Sequence, residues 1–327
     1  MKIGVWIPDK YVTSVRIYYQ QIRAHLSAKG VEFTPFSRND KLPKDVDLYW
    51  DPTCTGGKSP NRRFAGCDKP LIATVHGASN FSMPLHYTYH GWKNQIKGYG
   101  INLKRKLYWN IFRNNIDGII TVSEFAKKEI IQELNLPEKK IQVIYHGYDS
   151  AIFNEKSPAP RDYLLHVSSF HPIKNIPTLI EAYRRIDDAY KIPLVLIVPN
   201  YPNCMNEDGI TLINQLKSQE EIASYMKRAK AFVLPSIRES FGLPLIESMA
   251  CGTPAITSTG SACEEIVGDA GILCPPLDIE KWRDSMQEIC SNIDLWKVLS
   301  EKSIKRAKKF SWEKSAEAHY LYFKSFL

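Results

Sequence analysis

Short apolar runs alternate with longer stretches of helical periodicity along almost the whole chain. Runs of four to six apolar residues bounded by turn residues suit strands buried on both faces. Apolar residues returning every three or four positions suit amphipathic helices. The first half predicts strands at Lys2–Ile7, Asp47–Trp50, Leu71–Val75, Gly118–Val122 and Ile141–Tyr145. Helices are predicted over Ser14–Lys29, stopped by Gly30, and from Ser123 onward. Asn154–Arg161, with Pro158 and Pro160, has the composition of an interdomain linker. The rhythm then restarts, with strands at Tyr163–Val167, Leu194–Val198, Ile210–Leu212, Ala231–Leu234, Pro254–Thr257 and Gly271–Cys274. Helices are predicted over Ile176–Ile186, Glu220–Arg228, Trp282–Ile289, Leu295–Lys309 and Ser311–Phe326. Strands and helices in alternation predict a parallel α/β fold. We expect two Rossmann-like, doubly wound domains at 1–157 and 158–310, followed by a C-terminal helix at 311–327. Two such domains predict a ligand cleft between them, lined by loops after the carboxyl ends of strands.

Composition narrows the class. At 327 residues the chain is comfortable as two domains of about 150 residues each. No apolar run approaches the roughly 18–20 residues that span a bilayer. The opening Met-Lys-Ile-Gly-Val-Trp-Ile-Pro reads as a first strand, too short for a signal peptide. Seven cysteines without a Cys-x-x-Cys pair argue against a disulfide framework or a zinc site. A reducing cytoplasm is the simplest compartment.

The net charge of +8 is unevenly placed. Between Asp68 and Asp117 there is no acidic residue, while Lys69, Lys93, Lys97, Lys104, Arg105, Lys106 and Arg113 fall there. Aromatic residues from Phe81 to Phe112 are interleaved with them. This mixture suits an anionic membrane surface or an anionic acceptor. The plainer reading is a solvated basic helix with its aromatics in the core. Charge alone also admits nucleic acid, but none is expected as a partner. Lys302–Lys309 reads as an ordinary exposed helix face.

The most informative stretch is Pro235 to Pro254, which carries Glu239 and Glu247 around Ser240-Phe-Gly-Leu-Pro244. Pro244 suits the first position of a helix. The amides of Phe241, Gly242 and Leu243 are then expected at a helix start, tilted towards an anion. Glu247 is expected in the first turn and Glu239 on the preceding loop. Two carboxylates beside such a start suit the hydroxyls of a phosphorylated sugar or nucleotide. A Glu in a first turn is also favourable in any helix, through the helix dipole.

This segment, with its downstream Ala250-Cys-Gly-Thr-Pro254, resembles the Glu-x7-Glu signature of the retaining glycosyltransferases of family 4. The resemblance implies the GT-B fold, two Rossmann-like domains facing each other across a cleft. It implies that Glu239 contacts the donor sugar and Glu247 the ribose of the nucleotide. It also implies that the C-terminal helix crosses back onto the first domain.

Glycosyl transfer from a nucleotide sugar needs the growing charge on the diphosphate neutralised and the sugar oriented. A metal often serves the first need through Asp-x-Asp. The triplet here, Asp45-Val-Asp47, is read as a solvated turn, and no metal is expected. The positive charge is assigned instead to Lys174, after a strand and just before a helix; the family uses the matching Lys on the diphosphate. Family members often carry an Arg where this chain has Ser169. Arg238 or the helix start offers compensation. His76 follows a buried strand, and the matching His-Gly step of the family faces the transferred sugar. A purely structural, hydrogen-bonding role is the alternative there.

Ser123-Glu-Phe125 and Tyr145-His-Gly-Tyr-Asp149 resemble further family landmarks, expected to be mainly architectural. Gln215–Ser218 is assigned by position to the base pocket. The loop after the first strand, Pro8–Val15, lacks the family's glycines. Lys10 or Thr13 is expected to contact phosphate there, or the loop shapes the acceptor site.

The expectation is therefore a retaining, metal-independent hexosyltransferase using GDP-mannose or a UDP-hexose, with no resident cofactor. The acceptor is expected to be a growing surface glycan or lipid-linked saccharide met at the cytoplasmic membrane face. His76, Lys174 and Glu239 are the catalytic candidates. Ser169, Ser240, Phe241, Gly242, Leu243 and Glu247 complete the donor site. Lys93, Lys97, Lys104, Arg105, Lys106 and Arg113 form the acceptor or membrane patch. A nucleotide-sugar epimerase of the same fold and a non-catalytic, glycosyltransferase-like subunit are the competing readings.

Overall fold

The computed structural model describes residues 1–10, 12–89, 91–155, 161–202 and 207–327. The chain divides into two units, Met1–Gly147 with Ser311–Leu327, and Tyr148–Phe310. Residues 148–155 thus group with the second unit, and the expected linker falls partly outside the described residues, at 156–160.

The first unit is built from β1 (Lys2–Trp6), α1 (Thr13–Ser27), β2 (Glu32–Phe36), β3 (Leu48–Cys54), β4 (Leu71–Val75), α2 (Ser79–Ser82), α3 (Trp92–Asn115), β5 (Gly118–Thr121), α4 (Glu124–Leu134) and β6 (Ile141–Val143). Its strands form one sheet in the order β2-β1-β3-β4-β5-β6, and the described pairings are parallel. Helices cover both faces, so the central strands bury nearly every residue, as the apolar runs require. Trp109 and Phe112 of α3 and Ile130 of α4 join one core cluster with Val75 and Ile119. Tyr18, Ile22 and Leu26 of α1 are also fully buried. The strand β2 escaped the sequence reading because Glu-Phe-Thr-Pro-Phe leaves only Phe36 buried and holds a proline. Proline is tolerated there because β2 is an edge strand.

The second unit contains β7 (Tyr163–Val167), α5 (Ile176–Arg184), β8 (Leu194–Ile197), β9 (Ile210–Ile213), α6 (Gln219–Arg228), β10 (Ala229–Leu234), α7 (Leu243–Ala250), β11 (Ala255–Ser258), α8 (Ala262–Val267), β12 (Gly271–Cys274), α9 (Ile279–Ser291) and α10 (Ile293–Ala307). The sheet order is β12-β11-β10-β7-β8-β9, again with parallel pairings. The last helix, α11 (Trp312–Lys324), returns to the first unit. Its Phe323 ring lies 5.4 Å from Trp50, and the Tyr322 hydroxyl donates to the Lys140 carbonyl at 2.8 Å.

In both sheets the chain winds outward from one central strand and then returns to start on the other side. The reversals lie between β1 and β3 and between β7 and β10. Loops leaving such a pair diverge and open a crevice at the carboxyl ends of the strands.

Candidate active site

At the second reversal, the loops after β7 and β10 are tied together before any side chain reaches outward. The Ile237 amide donates to the Ile173 carbonyl at 2.8 Å. Asn175, 7% exposed and left-handed at φ 55°, donates from Nδ2 to the carbonyls of Pro235 (3.1 Å) and Pro276 (2.7 Å). Its Oδ1 accepts from the Thr178 hydroxyl at 2.8 Å. One asparagine therefore joins the loops after β7, β10 and β12. Sequence reasoning missed it, although Lys-Asn just before a helix is a turn signal, since Asn tolerates the left-handed region.

This brace sets the two key side chains against each other. Lys174 Nζ lies 2.5 Å from Glu239 Oε1, and the side chains are 22% and 15% exposed. The lysine assigned to the diphosphate and the glutamate assigned to the sugar thus form one half-buried ion pair. The Glu239 carbonyl is in turn held by the Ala262 amide at 3.2 Å, at the start of α8. Beneath them His166 is fully buried, its Nδ1 donating to the Val233 carbonyl and its Nε2 accepting from the Ser168 hydroxyl, both at 2.8 Å. Burial drives its pKa down to about 4, so this imidazole is neutral and structural.

The helix α7 begins at Leu243, capped by Gly242 at φ 95°. Leu245 N already donates to the Gly242 carbonyl at 2.9 Å, and Pro244 has no N–H. The amides of Gly242 and Leu243 have no acceptor among the described residues, as is usual for the first amides of a helix. Phe241 is buried with its ring 5.9 Å from Phe310. Ser240 and Arg238 are half-buried beside them, and Ser169 is exposed. The Ser236 hydroxyl, on the same loop, is buried without a hydrogen-bond partner among the described residues.

Glu247 differs from the expectation. It is the fifth residue of α7, one turn beyond the helix start, and the first turn contains no acidic residue. The proline stands second rather than first, which moves the register by one. A dipole role for Glu247 is thereby weakened, because that effect fades within the first turn. Its half-buried carboxyl has no hydrogen bond or ion pair to a described residue, and burial raises its pKa to about 7. Of the base-pocket residues, Ser218 caps α6 in a reciprocal box with Glu221, while Gln215 is exposed.

In the first unit His76 emerges from β4 half-buried. Its Nε2 donates to the Pro52 carbonyl at 2.9 Å, which leaves Nδ1 as the lone-pair nitrogen. Burial lowers its pKa to about 4. The turn after it is held by Glu129 of α4, whose carboxylate accepts from the Ala78 amide at 2.6 Å and from the Ser82 hydroxyl. Glu129 was not singled out in the sequence, where it reads as one more charge on an exposed helix; only the fold buries it. Behind His76 lies a polar relay. Trp50 Nε1 donates to Thr74 Oγ1 (3.0 Å), Thr74 pairs with the Tyr18 hydroxyl (2.9 Å), and Tyr18 donates to His319 Nε2 (2.5 Å). His319 Nδ1 then donates to the Ser315 carbonyl at 2.7 Å, which sets the direction of the whole chain. Rings of His76 and His146 pack on Tyr18 at 5.1 and 4.9 Å.

A cavity of about 510 Å³ opens at the reversal between β1 and β3. Trp6, Lys10, Asp51, Thr53, Lys58 and Asn61 are among its walls, so Lys10 of the glycine-free loop does face an open site. Thr13 instead begins α1, exposed. Ser123 caps α4, accepting from the Ala126 amide at 3.0 Å. Asp47 accepts from the Lys2 amide and Asp45 from the Lys2 ammonium, both at 2.7 Å. On α3, Lys93, Lys97, Lys104 and Lys106 are exposed. Arg105 turns inward to donate to the Gly56 carbonyl at 3.1 Å, and Arg113 is half-buried beside Asn110.

Two doubly wound parallel sheets, each reversing direction at a central strand pair, define an α/β architecture of the GT-B type. Sucrose-phosphate synthase from Thermosynechococcus elongatus superposes with a TM-score of 0.76 at 19% identity, covering 100% of this chain and 99% of that one. HepE from Anabaena, solved with UDP-glucose, superposes with a TM-score of 0.76 at 14% identity, covering 99% and 100%. The model for glycosyl transferases group 1 matches residues 148–309, and that for glycosyltransferase family 4 matches residues 61–151. The chain belongs to this glycosyltransferase family. An uncharacterised glycosyltransferase of Methanocaldococcus jannaschii is 32% identical over 252 residues, 75% of this chain and 65% of the relative. The O-antigen chain mannosyltransferase B of Escherichia coli is 27% identical over 74% of this chain and 67% of the relative. The MMP alpha-(1->4)-mannosyltransferase of Mycolicibacterium hassiacum is 25% identical over 83% of this chain and 69% of the relative. The alignments span about two thirds of the length of these relatives.

Proposed function

We propose that this chain transfers a hexose, with retention and without a metal, from a nucleotide sugar to a saccharide of a cell-surface glycan. The observation that carries the reading is the Lys174–Glu239 pair held at the strand reversal; Glu247 of α7 adds a carboxyl without a partner among the described residues. An ion pair that is half-buried but not sealed can be divided between two ligand groups. Diphosphate oxygens take the ammonium, and sugar hydroxyls donate to the freed carboxylate. The amides of Gly242 and Leu243 add their donors to the same anion. Glu247, with no donor among the described residues, takes the ribose hydroxyls. His76, with an unprotonated imidazole, is the first unit's candidate for contact with the transferred sugar. As the glycosidic bond breaks, the acceptor hydroxyl attacks the face the diphosphate leaves, and the leaving phosphate takes its proton. No protein nucleophile is needed.

The mannosyltransferase relatives make GDP-mannose the first donor to try, with UDP-glucose the second. The acceptor is a glycan or lipid-linked saccharide, met where the basic face of α3 contacts an anionic membrane. Thermal-shift titration against nucleotide sugars tests the donor, since a cognate ligand raises the melting temperature by mass action. Donor hydrolysis by wild type and Glu239→Gln tests the chemistry. Equal turnover in the two proteins would overturn the assignment.

A further inference from the structure

The helix α3 carries an apolar stripe on the side away from the core. Trp92, Ile96, Tyr99, Leu103 and Leu107 recur at helical spacing and are 68%, 65%, 67%, 54% and 57% exposed. The opposite face supplies Gly98, Trp109 and Phe112 to the interior, so the helix has two apolar faces and only one is covered. One surface of the uncovered face continues into a hollow of about 320 Å³, whose walls include Phe81, Met83, Leu85, Tyr99 and Leu103. Single exposed apolar residues need no explanation, but a stripe this long marks an interaction surface.

Charge selects the occupant. At 100° per residue, Lys93, Lys97 and Lys104 lie along one border of the stripe, and Lys106 lies along the other. All four are exposed. No acidic residue occurs between Asp68 and Asp117; Glu133 of α4 lies 3.9 Å from Lys106. An apolar stripe bordered on both sides by lysines fits the boundary between acyl chains and anionic headgroups, with the ammonium groups extending outward to phosphate. No described helix is long and apolar enough to cross a membrane. The lysine-bordered apolar stripe is what suits α3 to lying in that boundary.

We propose that α3 inserts its Trp92–Leu107 stripe into the surface of an anionic bilayer and holds the enzyme there. The inference rests on the membrane contact in the functional reading and adds insertion to charge attraction. Co-sedimentation of the full chain with vesicles of phosphatidylcholine, with and without phosphatidylglycerol, gives the test. Wild type is expected on the anionic vesicles, with a substantial bound fraction surviving high salt. The double variant Ile96→Ser, Leu103→Ser is expected to bind at least tenfold more weakly. Its melting temperature and donor hydrolysis should match wild type, which shows that the fold is intact. Brominated lipids should quench tryptophan fluorescence in wild type, and Trp92→Phe should remove most of that quenching. Wild-type binding that vanishes in high salt, or a serine variant that binds as wild type does, overturns insertion while leaving surface contact standing. No binding to either vesicle overturns both membrane statements. Self-association that disappears in the serine variant would give the stripe to a second copy and likewise overturn the proposal. None of these outcomes alters the donor-hydrolysis readout, on which the transferase reading stands or falls.

Discussion

Glu247→Gln should make the protein more stable and less able to bind its donor. The carboxyl is half-buried without a partner among the described residues, and burial alone lifts its pKa from an ordinary 4.5 to about 7. A raised folded-state pKa means that the native state holds its proton more tightly than the unfolded chain. The stabilising contribution is complete below pH 4.5 and is lost as pH rises through about 7. At 1.36 kcal/mol per unit, ionising this group in place costs about 3 kcal/mol by pH 8. Glutamine keeps the shape and removes the charge. Wild type should therefore lose stability from pH 5 to pH 8 by more than the variant does, and the variant should melt several degrees higher at pH 8. Ribose hydroxyls donate to the carboxylate form, so wild-type donor affinity and kcat/KM should rise through the same interval, and the variant should lack that limb. The measurements are melting curves and donor titrations at pH 5, 6, 7 and 8. A melting-temperature difference that does not change with pH would refute the buried-carboxyl reasoning.

The Lys174–Glu239 pair predicts an asymmetry. Lys174→Met should destabilise the second unit by about 2 kcal/mol by stranding a half-buried carboxylate, and adding Glu239→Gln should recover most of it. Neither protein should hydrolyse donor, so restored stability without restored activity is the expected signature. Asn175→Ala removes three hydrogen bonds and a residue that tolerates φ 55°, at a cost of about 3 kcal/mol in urea unfolding. Gly147→Ala places a Cβ 2.0 Å from the Trp312 amide nitrogen, and should lower the melting temperature through displacement of α11. His76, with its pKa near 4, should add no limb of its own to the pH–rate profile above pH 5; a second limb near 6.5 abolished in His76→Asn would contradict its burial.

Much of the scaffold was legible because the strands are buried on both faces, and such strands leave an unmistakable run of apolar residues. β7 and β12 match their predicted limits residue for residue, as does β4. Elements at the margin were not legible. The edge strand β2 hides only one residue from solvent, and α8 spans six residues with an ordinary composition. Within the candidate site, Lys174, Glu239 and Glu247 could be singled out through their resemblance to the family's signature, since local physics alone also allows a surface lysine and a glutamate that serves the helix dipole. Asn175, Glu129 and His166 could not be distinguished. Their roles depend on carbonyls and hydroxyls from distant strands, which no local pattern records.

The sequence by itself determined two parallel α/β halves, a strand–loop–helix start with two glutamates from Pro235 to Pro254, and an acid-free basic window. Those are consequences of local period, local turn chemistry and local charge, which a chain carries with it before folding. Tertiary structure alone decided that Lys174 and Glu239 neutralise each other and that Glu247 stands one turn inside its helix with a perturbed proton. It also decided which aromatics of α3 enter the core and which stay in water. The physical reason is common to all three. Burial and pairing are properties of what packs alongside a residue, and in a doubly wound sheet those neighbours come from strands and helices far away in sequence.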